Sequence, residues 1–405
     1  MNAGPAGRIL SGAMPLRVIR IATRLNLGGP ARQIEALLRR APEGMETTVV
    51  AGHAERGEYD LFDDFRAAGL PVVRCPFLSR NIRPAADVLS LFWLTRYLKR
   101  EKPDVVHTHM AKAGYVGRLA AKLAGIPAVV HTYHGFVLEG YFDAWKTRLF
   151  RRMERASARR SARLIALSPA LARMIPERYG ITDDAGKITV IPPAMDFARL
   201  DNAASCRGKL RAALDIPARA RVIAFVGRLV AVKAPELFIE AAGLAGADAE
   251  NLRFVLAGDG PLRPALECLV AEKKLRDRVL FAGDWRKDIR EIYADSDLIV
   301  LSSKNEGVPI TAIEALACGV PVVATSVGGL PDLITDARLG RLVPPGDVAA
   351  LAAAIVTSFD DADREFRMKF VRDRYDAGTA AETHRALYHE ILDHGNTEPD
   401  HGITE

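Results

Sequence analysis

Two glutamates, Glu306 and Glu314, are separated by seven residues and follow the short apolar run Leu298–Leu301. Such a run predicts a buried strand, and the residues after a buried strand line the crevice at the carboxyl ends of a parallel sheet, where ligands of open α/β folds bind. At that position one carboxylate can bind a ribose diol and the other a hydroxyl group of a hexose. Because this spacing also arises by chance in charged proteins, its interpretation depends on the accompanying residues.

Two cations follow another predicted strand, the apolar run 222–226. Gly227 comes first, and Arg228 and Lys233 lie in the turn after it. A charge pair in a turn is often only solvated, but glycine lets a ligand approach the backbone, and cations beside a helix start suit a diphosphate. Glycine or charge also follows the next two predicted strands, at Gly258, Asp259 and Gly260 and at Trp285 and Arg286. These strand ends together predict a ligand-binding edge.

The segments 227–233, 257–260, 306–314 and 321–332, in this order, resemble the C-terminal half of family 4 of the retaining glycosyltransferases. The segments 26–30, 107–109 and 131–135 resemble the N-terminal acceptor domain of the same family, so the resemblance extends from about residue 16 to residue 392. It implies the GT-B fold, an α/β architecture in which two Rossmann-like, doubly wound parallel-sheet domains face a deep cleft.

The resemblance implies roles for individual residues. Arg228 and Lys233 are expected to stabilise the leaving nucleoside diphosphate, and Glu306 is expected to bind a sugar hydroxyl. His134 is expected to contact the donor sugar, with its carbonyl near the anomeric carbon. The remaining donor-binding residues are expected to be Glu314 at the ribose with Gly227, Gly258, Asp259, Gly260, Trp285, Arg286, Gly307, Val308, Pro309 and Ile310. The expected acceptor-side residues are Gly28, Gly29, His109 and Lys112.

The start of the helix after Glu306 is expected to add dipole stabilisation through the amides of 307–310, since Pro309 suits a first helical turn. No cofactor and no metal are expected. The segment 295–297 has a DxD form, but it directly precedes a strand, so Asp297 is interpreted as structural. Gly28 and Gly29 lack the third glycine and the acidic residue of a dinucleotide fingerprint. Ser168 lacks the GxSxG setting of a hydrolase nucleophile.

A chain of 405 residues is longer than one hydrophobic core usually supports. Apolar runs alternate with helical stretches, which predicts parallel sheets covered on both faces. The expected domains are 15–196 and 205–375, with a hinge at 192–202 and a last helix, 376–393, that crosses back onto the first domain. Residues 1–14 and 394–405 are expected to be disordered.

The four cysteines, Cys75, Cys206, Cys268 and Cys318, form no CxxC pair, which favours a reduced, cytoplasmic setting over a zinc site or a disulfide framework. The first fourteen residues have no long apolar run, so no signal peptide is expected there. No window approaches the roughly 20 apolar residues of a membrane span. We therefore expect a cytoplasmic protein, with the inner face of the cytoplasmic membrane as a further location.

The run 146–163 contains eight cations and one anion, Glu154, so its charge of +7 exceeds the +6 of the whole chain. An inward stripe is expected from Leu149, Phe150, Met153, Ala156 and Ala158, with the arginines facing out. A solvated basic face is one interpretation, and adhesion to the anionic inner leaflet of a membrane is the other. Nucleic acid is not expected as a partner, because the chain has no recognised nucleic-acid-binding motif.

The resemblance implies a metal-independent, retaining glycosyltransferase that uses front-face displacement. The predicted donor is a UDP-sugar, with GDP-mannose as the alternative, and a hexose or N-acetylhexosamine is transferred. The predicted acceptor is a saccharide on a polyprenyl diphosphate in cell-surface polysaccharide synthesis. Three alternatives stay open: a soluble small-molecule acceptor, a nucleotide-sugar epimerase of the same shape, and a non-catalytic nucleotide-sugar-binding protein.

Overall fold

The computed structural model describes residues 14–136, 143–245, 251–283, 288–359 and 362–395. Strands and helices alternate through the first half. They are β1 (Leu16–Ala22), α1 (Gly29–Arg39), β2 (Met45–Ala51), α2 (Phe62–Ala67), β3 (Val72–Arg74), α3 (Pro84–Glu101), β4 (Val105–His109), α4 (Ala111–Ala124), β5 (Ala128–Tyr133), α5 (Ala144–Ala158), β6 (Arg163–Ala166), α6 (Pro169–Glu177) and β7 (Ile188–Val190).

The second half repeats the alternation. Its elements are α7 (Lys209–Ala213), β8 (Arg221–Val226), α8 (Pro235–Leu244), β9 (Leu252–Ala257), α9 (Arg263–Glu272), β10 (Val279–Gly283), α10 (Arg290–Asp295), β11 (Leu298–Leu301), α11 (Ile310–Ala317), β12 (Val322–Thr325), α12 (Leu330–Leu333), β13 (Gly340–Val343), α13 (Val348–Val356), α14 (Arg364–Tyr375) and α15 (Ala377–Gly395). β12 and β13 were not predicted as strands.

The strands form two sheets, in the orders β3-β2-β1-β4-β5-β6-β7 and β10-β9-β8-β11-β12-β13. All neighbouring strands in both sheets pair in parallel. The strand order reverses between β1 and β4 and again between β8 and β11, and ligands of open α/β sheets bind in the crevice at such a reversal. The predicted α/β class, with two doubly wound sheets, is confirmed.

Alternate residues of β1 pack on opposite faces of the first sheet. Ile19 and Ile21 belong to a core formed with α3 and α4, whereas Leu16 and Val18 belong to a core that includes Leu387 of α15. Since successive side chains of a strand point to opposite faces, each face needs its own covering helices. The same alternation decides which polar side chains of β1, β4 and β5 face α15.

The chain passes between the two sheets twice, and the two passages are hydrogen-bonded to each other. The amide of Met195 donates to the carbonyl of Tyr375 at 2.8 Å, and the amide of Ala377 donates back to Met195 at 3.1 Å. After the second passage α15 packs on α1 and on β5. α15 continues to Gly395, two residues into the predicted tail 394–405. Residues 1–13 and 396–405 lie outside the described residues.

In the part of the chain that the structure describes, no helix combines the length and the apolar character needed to cross a membrane. Cys75, Cys206 and Cys318 are buried, Cys268 is exposed, and all four are free thiols.

Candidate functional site

The loops after the strands of the first sheet contact the loops after the strands of the second. A Cβ placed on Gly29, at the start of α1, would lie 3.5 Å from Cγ1 of Ile310, at the start of α11. The side-chain amide of Asn305, in the loop after β11, donates to the carbonyl of Phe136, in the loop after β5, at 3.0 Å. The predicted acceptor-side and donor-side segments are therefore in direct contact.

The closest backbone approach joins His134 to Gly307. A Cβ at Gly307 would lie 1.8 Å from the carbonyl oxygen of His134, and a Cβ at Gly328 would lie 2.0 Å from the carbonyl oxygen of Glu306. Gly135 has φ near +148° and Gly328 has φ near +57°, values that L side chains rarely adopt. Only glycine allows the loop at 306–307 to pass between these two backbone segments, so the position of the His134 carbonyl depends on it.

Lys233 and Glu306, expected to bind different parts of the donor, contact each other. Nζ of Lys233 lies 2.5 Å from Oε1 of Glu306, and the hydroxyl of Ser303 donates to the same oxygen at 2.6 Å. The carboxylate is largely buried, while a quarter of the lysine side chain is exposed. The contact places a cation and a carboxylate together, close to the backbone of His134.

Arg228 faces a carboxylate that the sequence did not single out. Its Nη1 atom lies 3.6 Å from Oε1 of Glu58, and Arg24 holds the other oxygen of Glu58 with an Nε–Oε2 distance of 2.7 Å. Burial raises the pKa of Glu58, but the positive charges of Arg24 and Arg228 together with an amide hydrogen bond lower it overall. Glu58 follows β2 in a polar loop with no motif, so only the folded arrangement reveals it.

Glu314 lies on α11 with both carboxylate oxygens occupied. Nη1 of Arg199 lies 3.1 Å from Oε1, and the hydroxyl of Tyr293 donates to Oε2 at 2.8 Å. Burial and the neighbouring carboxylate raise the pKa of Tyr293 well above its usual value, so it stays a donor. A ribose that binds here has to share or displace these bonds. Arg199 and Tyr293 were not identified from the sequence.

The glycine-rich strand ends of the second sheet form a continuous edge. A Cβ at Gly258 would lie 1.9 Å from the carbonyl oxygen of Gly227, and the amide of Gly258 donates to the carbonyl of Gly283 at 2.7 Å. Asp259 accepts a hydrogen bond from the amide of Gly260 at 2.7 Å, which closes the turn. Trp285 and Arg286, predicted in the next turn, lie outside the described residues.

The helix expected to begin around Gly307 begins later. α11 starts at Ile310, and Pro309 is its N-cap, with φ −72° and ψ 121°, rather than a residue of its first turn. Gly307 and Val308 precede the helix. The amide of Ile310 is therefore in the first helical turn, whereas the amides of Gly307 and Val308 belong to the loop that packs on His134.

The predicted acceptor-side residues divide into two groups. Gly28 caps α1 and Gly29 begins it, next to α11. Nδ1 of His109 lies 3.0 Å from Nε2 of His134. Lys112 instead forms an ion pair with Asp87, which ties α4 to the first turn of α3.

A buried polar cluster lies behind His134. Nη1 of Arg20 lies 3.2 Å from Nδ1 of His107 and 3.3 Å from Nε2 of His109, and its Nη2 donates to the hydroxyl of Tyr388 at 3.0 Å. Burial lowers the pKa of His107 and His109 well below the usual value and that of His134 to about 3. Sequence reasoning missed Arg20, although an arginine inside an otherwise apolar strand was a signal.

The carboxylates of the DxD-like segment are engaged by the protein. Asp295 accepts hydrogen bonds from the amides of Gly208 and Arg211, at 2.6 and 3.1 Å, and Asp297 accepts one from the amide of Val222 at 2.7 Å. Among the described residues, no group of three or more His, Cys, Asp or Glu side chains could hold a metal ion. Ser168 caps α6 by accepting from the amide of Leu171 at 3.3 Å.

The basic run 146–163 forms α5 and the residues after it, and its single anion is turned inward. Glu154 pairs with the fully buried Arg118 at 2.9 Å. Arg148, Arg152 and Arg159 are exposed and pair with no carboxylate of the described residues.

Phe150 and Ala158 pack inward as expected, but Leu149 does not, because 48% of it is exposed. Trp145, one turn earlier, is 62% exposed. The expected inward stripe is therefore wrong at Leu149: α5 presents Trp145 and Leu149 beside its exposed arginines. α4 separates α5 from α3, where Val88, Leu89 and Phe92 are also exposed.

Comparison with known proteins gives two matching family models. Residues 28–194 match the model described as a glycosyl transferase 4-like domain, and residues 207–375 match that of glycosyl transferases group 1.

Two curated relatives and one solved structure illustrate the similarity. The UDP-Gal:α-D-GlcNAc-diphosphoundecaprenol α-1,3-galactosyltransferase of Escherichia coli is 36% identical over 293 residues, covering 71% of this chain and 74% of the relative. The D-inositol 3-phosphate glycosyltransferase of Thermobispora bispora is 31% identical over 378 residues, covering 87% and 83% respectively. The crystal structure of Anabaena HepE with UDP-glucose superposes with a TM-score of 0.76 at 21% identity, covering 93% of this chain and all of that one.

Proposed function

Since the chain belongs to family 4 of the glycosyltransferases, the group 1 family with the GT-B fold, we propose that it transfers a hexose or N-acetylhexosamine from a nucleotide diphosphate sugar to a lipid-linked saccharide. The observation that carries the proposal is the meeting of His134, from the first sheet, with Lys233 and Glu306, from the second. This arrangement brings a cation, a carboxylate and a fixed carbonyl to the same place between the two sheets.

The preferred donor is a UDP-sugar, with GDP-mannose as the alternative. The Escherichia coli relative is named for UDP-Gal, and the HepE structure holds UDP-glucose. The diphosphate would lie along the glycine edge at Gly227, where a Cβ would meet nothing nearer than 3.9 Å, while Gly258 packs directly on the Gly227 carbonyl. Glu314 would bind the ribose.

In the proposed reaction the bond between C1 of the sugar and the diphosphate oxygen breaks while an acceptor hydroxyl bonds to the same face of C1, so the configuration is retained. The acceptor proton passes to an oxygen of the leaving diphosphate. Lys233 and Arg228 stabilise the charge that develops there, as fixed cations do in a water-poor cleft. Arg228 is suited to this because half of its side chain is exposed and its nearest carboxylate, Glu58, lies 3.6 Å away.

These two cations supply the countercharge without a divalent metal in the proposed mechanism. Glu306 orients the sugar through a hydroxyl group, and its contact with Lys233 keeps the lysine beside the leaving group. The carbonyl of His134, which lies against Gly307, would face C1. No nucleic acid takes part, and no organic cofactor is needed, because the nucleotide sugar is itself a substrate.

The proposed acceptor is a saccharide on a polyprenyl diphosphate, of the kind used in cell-surface polysaccharide synthesis. Its support is the acceptor named for the Escherichia coli relative, together with the exposed face of α5. Arginines beside Trp145 and Leu149 suit the headgroup region of an anionic membrane, which takes up both cations and apolar side chains. The protein would then act from the cytoplasm while docked on the inner leaflet.

A soluble acceptor is the second candidate, because the Thermobispora bispora relative is named for D-inositol 3-phosphate. The two candidates predict different dependence on vesicles. Purified protein is incubated with one donor at a time: UDP-Gal, UDP-Glc, UDP-GlcNAc or GDP-mannose. Each donor is tested in three ways: without an acceptor, with α-GlcNAc-diphosphoundecaprenol in vesicles, and with D-inositol 3-phosphate.

The proposal expects release of UDP only with the lipid acceptor, and a lipid product heavier by one sugar. Transfer to inositol phosphate alone would move the soluble acceptor to first place. An isomerised sugar with donor alone would identify an epimerase, and tight donor binding without turnover under any acceptor would identify a binding protein.

A further inference from the structure

Arg20 is a buried cation without a carboxylate. Its side chain is 1% exposed, and no described Asp or Glu forms an ion pair with it. Burying an unpaired charge is costly, and such groups are kept where they have a specific task. The partners that Arg20 does have are two histidines of β4, His107 and His109, and Tyr388 of α15.

Arginine fixes the direction of these hydrogen bonds, because a guanidinium has five donors and no acceptor. Nδ1 of His107 and Nε2 of His109, which both face Nη1 of Arg20, must therefore be unprotonated acceptors. The bonds around His107 agree. Its Nδ1 lies 2.6 Å from the hydroxyl of Tyr388, which can donate to the same lone pair, and its Nε2 lies 2.7 Å from Oγ1 of Thr132, which can accept the ring proton.

The same rule continues from His109 to His134. With Nε2 of His109 unprotonated, the proton of the neutral ring is on Nδ1, which lies 3.0 Å from Nε2 of His134. Nε2 of His134 must then accept, which leaves the proton of His134 on Nδ1. This Nδ1 is buried and has no hydrogen-bond partner among the described residues. A buried N–H without an acceptor is rare in folded proteins and points to a ligand.

We infer that Arg20 and His109 are positioning residues that hold His134 in the tautomer with its proton on Nδ1, so that this ring N–H is free to serve the donor-sugar contact already expected of His134. That the ring N–H contacts the donor sugar rests on the proposed function, whereas the tautomer of His134 does not. His134 would then present two groups to the donor sugar: a carbonyl oxygen near C1 and a ring N–H.

The charges around the ring agree with a neutral donor. Burial comes first and the positive charge of Arg20 second in lowering the pKa of His134 to about 3, so the ring carries one proton near neutral pH. Two further rings lie behind it: the centroid of His109 is 5.3 Å from that of His134, in a tilted arrangement, and 4.4 Å from that of His107, on which it stacks. α15 completes the arrangement through Tyr388, which contacts both Arg20 and His107.

The test uses the full chain labelled with ¹⁵N-histidine, without substrate. Protonated and unprotonated ring nitrogens of a neutral imidazole differ widely in ¹⁵N chemical shift, so long-range ¹H–¹⁵N spectra report the tautomer. The spectrum of His134→Gln lacks the signals of one imidazole ring, which assigns those signals to His134. The expected result is protonated Nδ1 and unprotonated Nε2 for His134 and His109, and the reverse for His107.

Two substitutions at one position separate positioning from packing. In His109→Asn the side-chain amide replaces Nδ1 and can still donate to His134. In His109→Asp a carboxylate takes the same place, accepts instead, and can pair with Arg20, so the fold is kept while the proton of His134 moves to Nε2. We expect kcat to fall about 100-fold in His109→Asp, as for the loss of one fixed donor in an active site, and to be largely retained in His109→Asn.

An Nε2–H tautomer for His134 in the wild type would overturn the inference, as would equal activities of the two variants. If His109→Asp does not fold, the ¹⁵N spectra of Arg20→Met replace it. Without the guanidinium nothing fixes the proton of His109, so His134 must populate both tautomers. If the wild type transfers no sugar with any donor, the spectra still decide the tautomer, and only the proposed function fails.

Discussion

Nζ of Lys233 and Oε1 of Glu306 lie 2.5 Å apart and form an ion pair between the ends of two different strands of the same sheet. Lys233 belongs to the turn after β8, and Glu306 belongs to the loop after β11. These two strands are neighbours at the reversal of strand order in the second sheet. A diphosphate bound there would meet a lysine whose position is already fixed by the carboxylate.

Lys233→Met removes this cation while keeping most of the side-chain volume. We expect kcat to fall about 100-fold or more, because the leaving diphosphate loses a fixed countercharge. Nucleotide release measures the effect, and Lys273→Met, at an exposed position after α9, is the matched control. Wild-type turnover should be unchanged in excess EDTA. Activity that EDTA abolishes and Mg²⁺ or Mn²⁺ restores would contradict a metal-independent mechanism.

Glu314→Ala should weaken nucleotide binding by about 1.5 to 3 kcal/mol, as for a lost hydrogen bond to a charged group. The same change leaves Arg199 and the hydroxyl of Tyr293 without their partner, so the free energy of unfolding falls as well. Tyr293→Phe separates the two effects, since it removes one bond to Glu314 and leaves the carboxylate. It should lower stability by about 1 kcal/mol with little change in UDP affinity. A folded Glu314→Ala protein with unchanged calorimetric affinity for UDP and GDP would argue against a ribose site.

Gly307→Ala places a methyl group against the carbonyl of His134, where a Cβ would lie only 1.8 Å away. The two backbones must separate, so we expect kcat to fall at least about tenfold, as small misplacements of reacting groups do. Gly243→Ala in α8 is the control, because a Cβ there meets nothing nearer than 3.8 Å. Equal activity of both variants and the wild type would show that the His134 carbonyl has no fixed part in transfer.

Replacement of Arg148, Arg152 and Arg159 by glutamine should weaken sedimentation with anionic vesicles and leave activity on a soluble acceptor unchanged. Binding should also fall as salt rises, because exposed charges are screened over roughly 10 Å at 0.1 M salt. The control triple, Arg66, Arg219 and Arg276 to glutamine, removes the same charge at exposed positions elsewhere. Equal, negligible binding of the wild type to anionic and neutral vesicles would leave the basic face of α5 merely solvated.

The buried histidines should make the protein acid-sensitive. His384 is buried, and burial followed by the charge of Arg20 lowers its pKa to about 3. The unfolded chain takes up this proton near pH 6.5 and the folded chain near pH 3, so the unfolded state binds more protons between these values and stability falls as pH is lowered.

Each of these buried histidines should lower the free energy of unfolding as the pH falls from 7 to 5, because the unfolded state takes up a proton that the folded state does not. The groups that contribute in this way are His107, His109, His131, His134 and His384. Urea unfolding from pH 8 to pH 5 measures the slope. His384→Gln should reduce it, whereas His389→Gln, at an exposed position, should not. An unchanged slope in His384→Gln would refute the assignment.

The sequence predicted the fold from apolar runs, but burial alone did not decide which strands were found, because β12 is as fully buried as β11 and was not predicted. The bounds of β11, Leu298–Leu301, agree exactly with the predicted run. β13 was missed because Gly340–Val343 alternates only weakly and contains an exposed arginine. The apolar runs 104–107 and 128–131 predict strands that end at His107 and His131, whereas β4 and β5 continue to His109 and Tyr133, since polar histidines are tolerated inside a sheet when Arg20 and hydroxyl groups satisfy them.

The residue types of the candidate site were also visible in the sequence, but their pairing was not. Glu58 lies in a loop without a motif and becomes notable only because Arg24 and Arg228 reach it. Tyr388 lies far along the chain from Arg20, so no local pattern relates them. Leu149 was placed on the wrong face because helical periodicity gives relative angles, while the packing of Phe150 against the core sets the actual rotation of α5.

The last helix, α15, completes the first sheet although it is synthesised after the second sheet. The first sheet receives Tyr388 and Leu387 from α15, which leaves the ribosome only after every strand of the second sheet. Without α15, Arg20 lacks its bond to the Tyr388 hydroxyl, and the face of the first sheet that carries Leu16 and Val18 lacks its covering helix. A chimera that takes its second sheet from another protein therefore needs two junctions, one near Met195 and one near Asp376, so that α15 stays with the first sheet, which it covers.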